Sequence, residues 1–240
     1  MQMKQRIMGV FFFGAVLGSL ASWCAPAAQA QEEKGFTSIF NGRDLDGWEG
    51  DLKFWSVKDG AITGQTDSER ALEVNTFLIW QGGKLVDFEL RLKFRLVSGN
   101  SGVNYRSREL SKFVVGGYQA DFDEDEGGKW IGVLYDAAGR LMLADRGTKV
   151  VIHENGEKEV VGETTPEEEI LAAYKKQDWN EYTIIARGNR LVQKINGLTT
   201  VDVIDEEESK AHAEGILALQ LHPGAPMTVQ FKDIRLKTLK

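Results

Sequence analysis

Nine consecutive residues, Phe88-Glu89-Leu90-Arg91-Leu92-Lys93-Phe94-Arg95-Leu96, alternate apolar and charged without a fault. A period of two puts every apolar side chain on one face and every charge on the other. That describes an antiparallel strand with one face buried and one face wet. Val229, Phe231, Ile234 and Leu236 alternate too, with a phase slip at Lys232-Asp233 that predicts a bulge. Segments 182–186 and 191–195 flank Arg187-Gly188-Asn189-Arg190, a hairpin turn, and Asn196-Gly197 and Asp59-Gly60 carry the positive-φ chemistry of two more. Residues 216–221 form a further apolar strand. One helix is predicted, with Thr165 as N-cap, Pro166 at N1 and Glu168 at N3 as a capping box ahead of Ile170, Leu171 and Tyr174. Lys175 and Lys176 would complement the C-terminal end of its dipole. The polar stretch 153–164 before it reads as an exposed loop. No linker, fixed-period repeat or break in composition divides the chain. The expectation is an all-β sandwich with one short decorating helix.

Composition removes competing classes. With 42% hydrophobic and 27% charged residues, the chain is neither disordered nor an integral membrane protein. A net charge of −7 argues against a nucleic-acid binder, since phosphate contact needs a basic face. At the N-terminus, Lys4 and Arg6 precede an apolar run from Ile7 to Leu20, and Ala28-Gln29-Ala30 supplies a small-x-small cleavage site. This is the layout of a signal peptide over residues 1–30, and the run of 14 residues is short for a membrane span. Cys24 does not mark a lipid anchor, because Trp23 stands where a small residue is expected. Cleavage after Ala30 leaves 31–240 as a single domain, removes the only Cys, and takes the net charge from −7 to −9 by losing Lys4 and Arg6 but no acid. The expected product is exported, periplasmic or extracellular, without a stable membrane anchor, disulfides or thiol chemistry.

Three polar rows are candidates for chemistry. Gln220 and His222 share a face at the end of the apolar strand, just before a Gly-Ala-Pro loop. Gln119, Asp121 and Asp123 point one way in Gly117-Tyr118-Gln119-Ala120-Asp121-Phe122-Asp123, and Tyr118, Ala120 and Phe122 the other. An amide and carboxylates on a sheet face suit hydrogen bonding to sugar hydroxyls and proton transfer. Asn104 and Arg106 share the third row, and Arg106 offers five fixed donors for a carbonyl or developing oxyanion. His153 and His212 are expected to be solvated, as is the acidic run Glu124-Asp125-Glu126. Among Trp48, Trp55, Trp80, Trp130 and Trp179, some belong to the core; rings at the rim of a groove would stack on sugars. No spaced ligand motif supports a metal, and no cofactor is assigned.

The chain resembles the 3-keto-disaccharide hydrolase family. The likeness lies in the order of Ile39-Phe40-Asn41-Gly42-Arg43-Asp44-Leu45-Asp46-Gly47-Trp48, Asp87-Phe88-Glu89-Leu90 through Asn100-Ser101-Gly102-Val103, and Gly117-Tyr118-Gln119-Ala120-Asp121. It continues through Gly132-Val133-Leu134-Tyr135-Asp136, Asp178-Trp179-Asn180-Glu181-Tyr182, 184–189, Asn196-Gly197, and Gln220-Leu221-His222-Pro223-Gly224 to Phe231-Lys232-Asp233-Ile234-Arg235. The resemblance implies a concanavalin A-like jelly roll of two packed antiparallel sheets with a concave sugar-binding face. It also implies exported bacterial proteins acting on glycosides oxidised to a ketone at C3, as hydrolases or as 1,2-lyases coupled to hydration of the resulting glucal.

A C3 ketone acidifies the C2 proton, so one base removes it and the C1 substituent leaves by elimination. The enolate then needs donors rather than a second carboxylate. Asp121 or His222 could be the base, with His222 favoured because an unperturbed imidazole titrates nearest neutrality. Arg106, Gln119 and Gln220 are the candidate donors, and Asn104, Tyr135, Trp130 and Trp179 the further substrate contacts. Other members commonly carry glutamate where Gln119 stands. Laminarinase-like retaining hydrolysis does not suit this face either, because an amide at 119 cannot be the nucleophilic carboxylate. A non-catalytic carbohydrate-binding module and an exported scaffold are the competing readings. Anomer, aglycone and oligomeric state are left open by the residues.

Overall fold

The computed structural model describes residues 34–125 and 127–240; the expected signal peptide and its cleavage site lie outside them. Two sheets face each other. The larger has ten strands, in the order Lys158–Glu163, Thr148–Ile152, Leu198–Asp205, Arg190–Ile195, Asn180–Arg187, Phe88–Ser98, Thr228–Thr238, Ala61–Gln65 and Trp55–Lys58, with Thr37–Ser38 paired to Thr228–Thr238. The smaller runs Leu141–Ala144, Leu134–Ala137, Val114–Asp123, Asn100–Ser111, Ile216–Leu221, Thr76–Trp80 and Trp48–Glu49. This is the two-sheet sandwich that the alternation predicts and the jelly roll that the resemblance implies, with one exception to antiparallel pairing: Thr148–Ile152 runs parallel to Leu198–Asp205.

The alternating segment is the strand Phe88–Ser98, held between Asn180–Arg187 and Thr228–Thr238. Phe88, Leu90, Leu92, Phe94 and Leu96 are buried, while the charges between them face outward. Opposite them the smaller sheet turns in Val103, Tyr105, Tyr118, Ala120 and Phe122. Phe94 packs its ring 4.1 Å from Phe122 and 5.6 Å from Tyr182. The bulge at Lys232-Asp233 is present, with the register shifting between Lys232 and Arg235 and Asp233 at φ 52°. At Asn196-Gly197 both residues have positive φ (49° and 84°), as the turn chemistry requires.

The helix departs from its predicted caps. It spans Glu167–Ala173, one residue later than the capping box implies, and Pro166 is its N-cap with ψ 140° and no side-chain cap. Pro166 still accepts from the Glu169 and Ile170 amides at 3.0 and 3.1 Å. Extended backbone is what proline imposes on its predecessor, so Thr165 is held too far out to cap. Three acids, Glu167 to Glu169, occupy the first turn instead, and Lys175 and Lys176 fall beyond the last one. The expected loop at 153–164 contains an exposed edge strand, Lys158–Glu163, paired with Thr148–Ile152. Edge strands carry a polar pattern that period alone does not separate from a loop. Among the described residues no helix is long and apolar enough to cross a membrane.

Because Phe94 joins both sheets through aromatic contacts and is fully buried, Phe94→Ala is expected to cost about 3–5 kcal/mol. Urea denaturation against the parent chain measures it, with an unchanged m-value.

Candidate active site

The outward face of the smaller sheet is fixed by its inward one. In Val114–Asp123, Tyr118, Ala120 and Phe122 are locked in the core, so Gln119 and Asp121 must lie on the opposite face. Register places Asn104 and Tyr135 on either side of Gln119, and Gly102 opposite Asp121. Ala218 lies beside Asn104 on the other side, and Gln220 follows two residues along. The result is a cavity of about 280 Å³, just under the size usual for small-ligand sites (~300–1,000 Å³). Its wall includes Gln119, Asp121, Trp130, Tyr135, Gln220 and His222, together with Asn75, Asn100, Ala137 and Ala138.

Asp121 is 5% exposed. Its Oδ1 accepts from Asn100 Nδ2 at 3.1 Å and from the Phe122 amide at 2.9 Å. Burial dominates over these donors, and with the nearby Asp123 it pushes the carboxyl up to about 8. Asp121 is therefore a neutral acid through much of the physiological range. Burial, with Asp121 close by, likewise raises the Tyr135 phenol, which keeps its proton. Gln119 Nε2 donates to Gln220 Oε1 at 3.3 Å. His222 Nδ1 lies 2.6 Å from the Pro223 carbonyl; a carbonyl only accepts, so Nδ1 carries the proton and Nε2 of the neutral ring holds the lone pair. Buried Gln119 Oε1, Asn75 Oδ1 and both polar atoms of Asn104 have no hydrogen-bond partner within the chain. Such atoms are costly to leave unmatched, about 1–3 kcal/mol each, and those of Gln119 and Asn75 lie in the cavity wall, where a polar ligand would meet them.

The aromatic wall is held by an acid. Asp123 accepts from the Trp130 amide at 2.8 Å and the Gly128 amide at 3.3 Å, which fixes the loop carrying Trp130. The Trp130 ring stands edge-on to Tyr135 at 5.9 Å. Gly102 has no side chain for a steric reason. A Cβ there would lie 2.7 Å from Gln119 Cγ, so the Gln119 amide lies over Gly102.

Arg106 does not join this group. Period two places it beside Asn104, but the strand bulges: register shifts between Tyr105 and Arg108, and Arg106 takes φ 44°. Its guanidinium is buried elsewhere, donating to Val86 O and Gly188 O at 2.7 Å and to Asp87 Oδ1 at 3.0 Å. There it ties two loops together, in the wall of a second cavity of about 600 Å³ whose rim is acidic. Trp179 is also elsewhere. It precedes the strand Asn180–Arg187 of the larger sheet, under Lys232 and Arg95 at 3.9 and 5.1 Å from its ring centre. Asn104 is on the right face but fully buried, and does not line the cavity.

Two expected solvated groups are not solvated. His212 Nε2 meets Asp136 Oδ1 at 3.1 Å and its ring stands edge-on to Tyr118 at 4.8 Å. Glu124 accepts from Tyr174 Oη and the Gln177 amide, both at 3.0 Å. Asn75 was not singled out by any pattern, since it precedes its strand in a polar stretch with no periodicity. Asn100, at the start of the strand that carries Asn104, acts through Asp121. Among the described residues no cluster of three or more His, Cys, Asp or Glu is placed to hold a metal ion.

The molecule is a two-sheet jelly roll with an amide- and aromatic-lined cavity on one sheet face. The family model described as a 3-keto-alpha-glucoside-1,2-lyase-like domain matches residues 35–237, and the chain belongs to that family. Among solved structures it is similar to a candidate glycosyl hydrolase from Parabacteroides distasonis, with TM-score 0.58 and 17% identity, covering 85% of this chain and 99% of that one. It is similar also to the carbohydrate-binding module CBM66 from Bacillus subtilis, with TM-score 0.51 and 17% identity over 80% of this chain and 96% of the other. A galectin-like protein of unknown function from Bacillus subtilis aligns with TM-score 0.54 and 9% identity, over 81% and 90%. No curated protein matches the chain. At these identities the solved structures establish the fold alone.

Asp121 binds its proton more tightly in the folded chain than in the unfolded one, where a carboxyl titrates near 3.8. Between those two pH values the unfolded state has lost a proton that the folded state keeps, so stability falls as pH rises from about 4 to about 8. Asp121→Asn, which cannot ionise, is expected to remove that contribution, on the order of 1 kcal/mol per pH unit at its steepest. Thermal melts of both chains across this range measure the difference, with the variant gaining most at the alkaline end.

Proposed function

We propose that this protein is an exported enzyme that cleaves 3-keto-glycosides by taking the C2 proton and expelling the C1 substituent. Membership of the 3-keto-alpha-glucoside-1,2-lyase-like family supports the substrate class. The observation that carries the mechanism is the acid inventory of the cavity: Asp121 is the one carboxyl among the described residues that line it, and burial raises its pKa to about 8. Ordinary glycoside hydrolysis uses two carboxyls across the scissile bond, one of them ionised. A single neutral acid with an imidazole beside it suits elimination from a ketone.

In this reading His222 Nε2 removes the C2 proton, and the electron pair moves onto the C3 oxygen as an enolate. Asp121, as a neutral acid, donates a hydrogen bond to that oxygen, taking the place first assigned to Arg106. Tyr135 and Gln220 are further donors on the same wall. Collapse of the enolate forms the C1–C2 double bond and breaks the C1–O bond; the leaving oxygen takes the proton from the His222 imidazolium. Water added across the double bond, hydroxyl to C1 and proton to C2, completes hydrolysis.

Purified residues 31–240, given a 3-keto-glucoside and its unoxidised parent in deuterated buffer, test the proposal. Cleavage of the keto sugar alone, with deuterium at C2 by NMR, is the expected result. His222→Ala should lower turnover by about 10²–10⁴-fold. Asp121→Asn keeps a donor and should lose only about tenfold, whereas a role as the base would cost it as much as His222→Ala. Chemical-shift changes on sugar binding without cleavage of either compound would overturn the proposal in favour of a non-catalytic binding module.

A further inference from the structure

The outer face of the larger sheet, on the far side of the sandwich from the cavity, is basic on a chain whose net charge is −7. Period two lays Arg91, Lys93 and Arg95 along one strand, and the neighbouring strand adds Lys232, Arg235 and Lys237 in register with it. The next pair of strands adds Arg187, Arg190 and Lys194. Four acids lie among these nine cations, and each is already matched. Arg91 meets Glu89, Lys93 meets Asp233 at 2.8 Å, Arg190 meets Asp202 at 2.7 Å, and Arg235 lies 3.6 Å from Glu181. Among the described residues, Arg95, Arg187, Lys194, Lys232 and Lys237 are in no ion pair. Surplus charge of one sign on one face is a field for an oppositely charged partner.

Two features identify the kind of partner. Aromatic rings hold the cations in place: Lys232 and Arg95 lie over Trp179, and Lys237 and Arg91 over Phe36 at 5.6 and 4.6 Å. Beside them is a depression of about 360 Å³ lined by Ile185 and Val192, by Arg187, Arg190 and Lys194, and by Thr199 and Asp202, the acid already paired with Arg190. Two apolar side chains among three cations, with the one acid already paired, fit a pyranose that presents C–H groups on one face and a carboxylate at its edge. A lipid-docking face is built the other way, with apolar side chains protruding rather than recessed. Successive strands stand ~4.8 Å apart, so the cations form rows that an extended polyanion can follow.

We propose that this face is a second carbohydrate site, which binds an acidic, uronate-bearing polysaccharide and anchors the protein to it. The proposal does not rest on the chemistry of the cavity. Affinity electrophoresis of the full chain through gels holding polygalacturonate or, as a neutral control, dextran tests it. Retardation by polygalacturonate alone, weakened as added salt screens the face, is expected. The pairs Lys232→Glu with Lys237→Glu, and Arg187→Glu with Lys194→Glu, should each weaken binding about tenfold or more, equal to about 1.4 kcal/mol. Circular dichroism confirms their fold, and turnover of a small keto-glycoside should be unchanged. His222→Ala should bind polygalacturonate as the parent does, which separates this site from the cavity. Equal retardation in both gels, folded charge-reversal variants that bind as before, or tighter binding to phosphatidylglycerol vesicles than to polygalacturonate would overturn it.

Discussion

The pairing of Asn100–Ser111 with Val114–Asp123 couples the core of this molecule to its candidate site. Tyr105, Tyr118, Ala120 and Phe122 fill the space between the sheets, and a strand cannot rotate one residue without turning all its neighbours over. Core packing therefore sets where Gln119 and Asp121 stand, with no contact of their own needed to hold the face. The same constraint explains why Gly102 sits under Gln119. Register fixes the two residues side by side, and only the smaller one leaves room for the amide.

That rigidity has an energetic cost at the site. Asp121 is buried where its ionised form is disfavoured, and Asn104, Gln119 and Asn75 bury polar atoms without partners in the chain. The three amides run against the rule that buried polar groups are matched, and all four residues lie on or beside one sheet face. Elsewhere most of the buried polar network is matched, the Trp55 indole N–H being an exception. Arg140 bridges Asp136, Asp205 and Glu207; Tyr118 donates to Asp205; Asn180 both donates to and accepts from the backbone at Lys175. Unmet groups gathered in one place while a larger cavity nearby has its Arg106 and Tyr118 fully engaged distinguish the site from the scaffold.

Sequence alternation located the face and missed its irregular parts. Gln119, Asp121 and Gln220 are legible because they sit on regular strands whose inward partners are apolar; Tyr135 entered with the family resemblance, its strand turning Asp136 inward beside it. Arg106 is the counter-example. It sits two residues beyond Asn104, and a bulge, seen in the register shift between Tyr105 and Arg108 and in the positive φ of Arg106, turns it into another part of the protein. Nothing in an arginine announces such a backbone angle. Trp179 fails for a different reason: a tryptophan is as suited to a sheet's outer face as to a groove rim, and only strand order decides which. Asn75 has no periodic neighbours to betray it. The helix shows the same limit at smaller scale, where a proline shifts the cap by one residue.

Arg106's removal from the cavity changes the chemistry that the cavity can do. A guanidinium would hold a permanent charge beside the reacting ketone and would hold Asp121 ionised beside it. Without it, the low-dielectric pocket keeps Asp121 neutral, and a neutral acid strengthens its hydrogen bond as negative charge grows on the oxygen it faces. Under the proposed route that is when stabilisation is needed, because the ketone is uncharged until its C2 proton leaves. An ionised pair of carboxylates, by contrast, would oppose formation of the enolate. The bulge that carries Arg106 out of the site is therefore consistent with the pKa of Asp121, and the two together set one neutral acid against one imidazole across a wall of amides and rings.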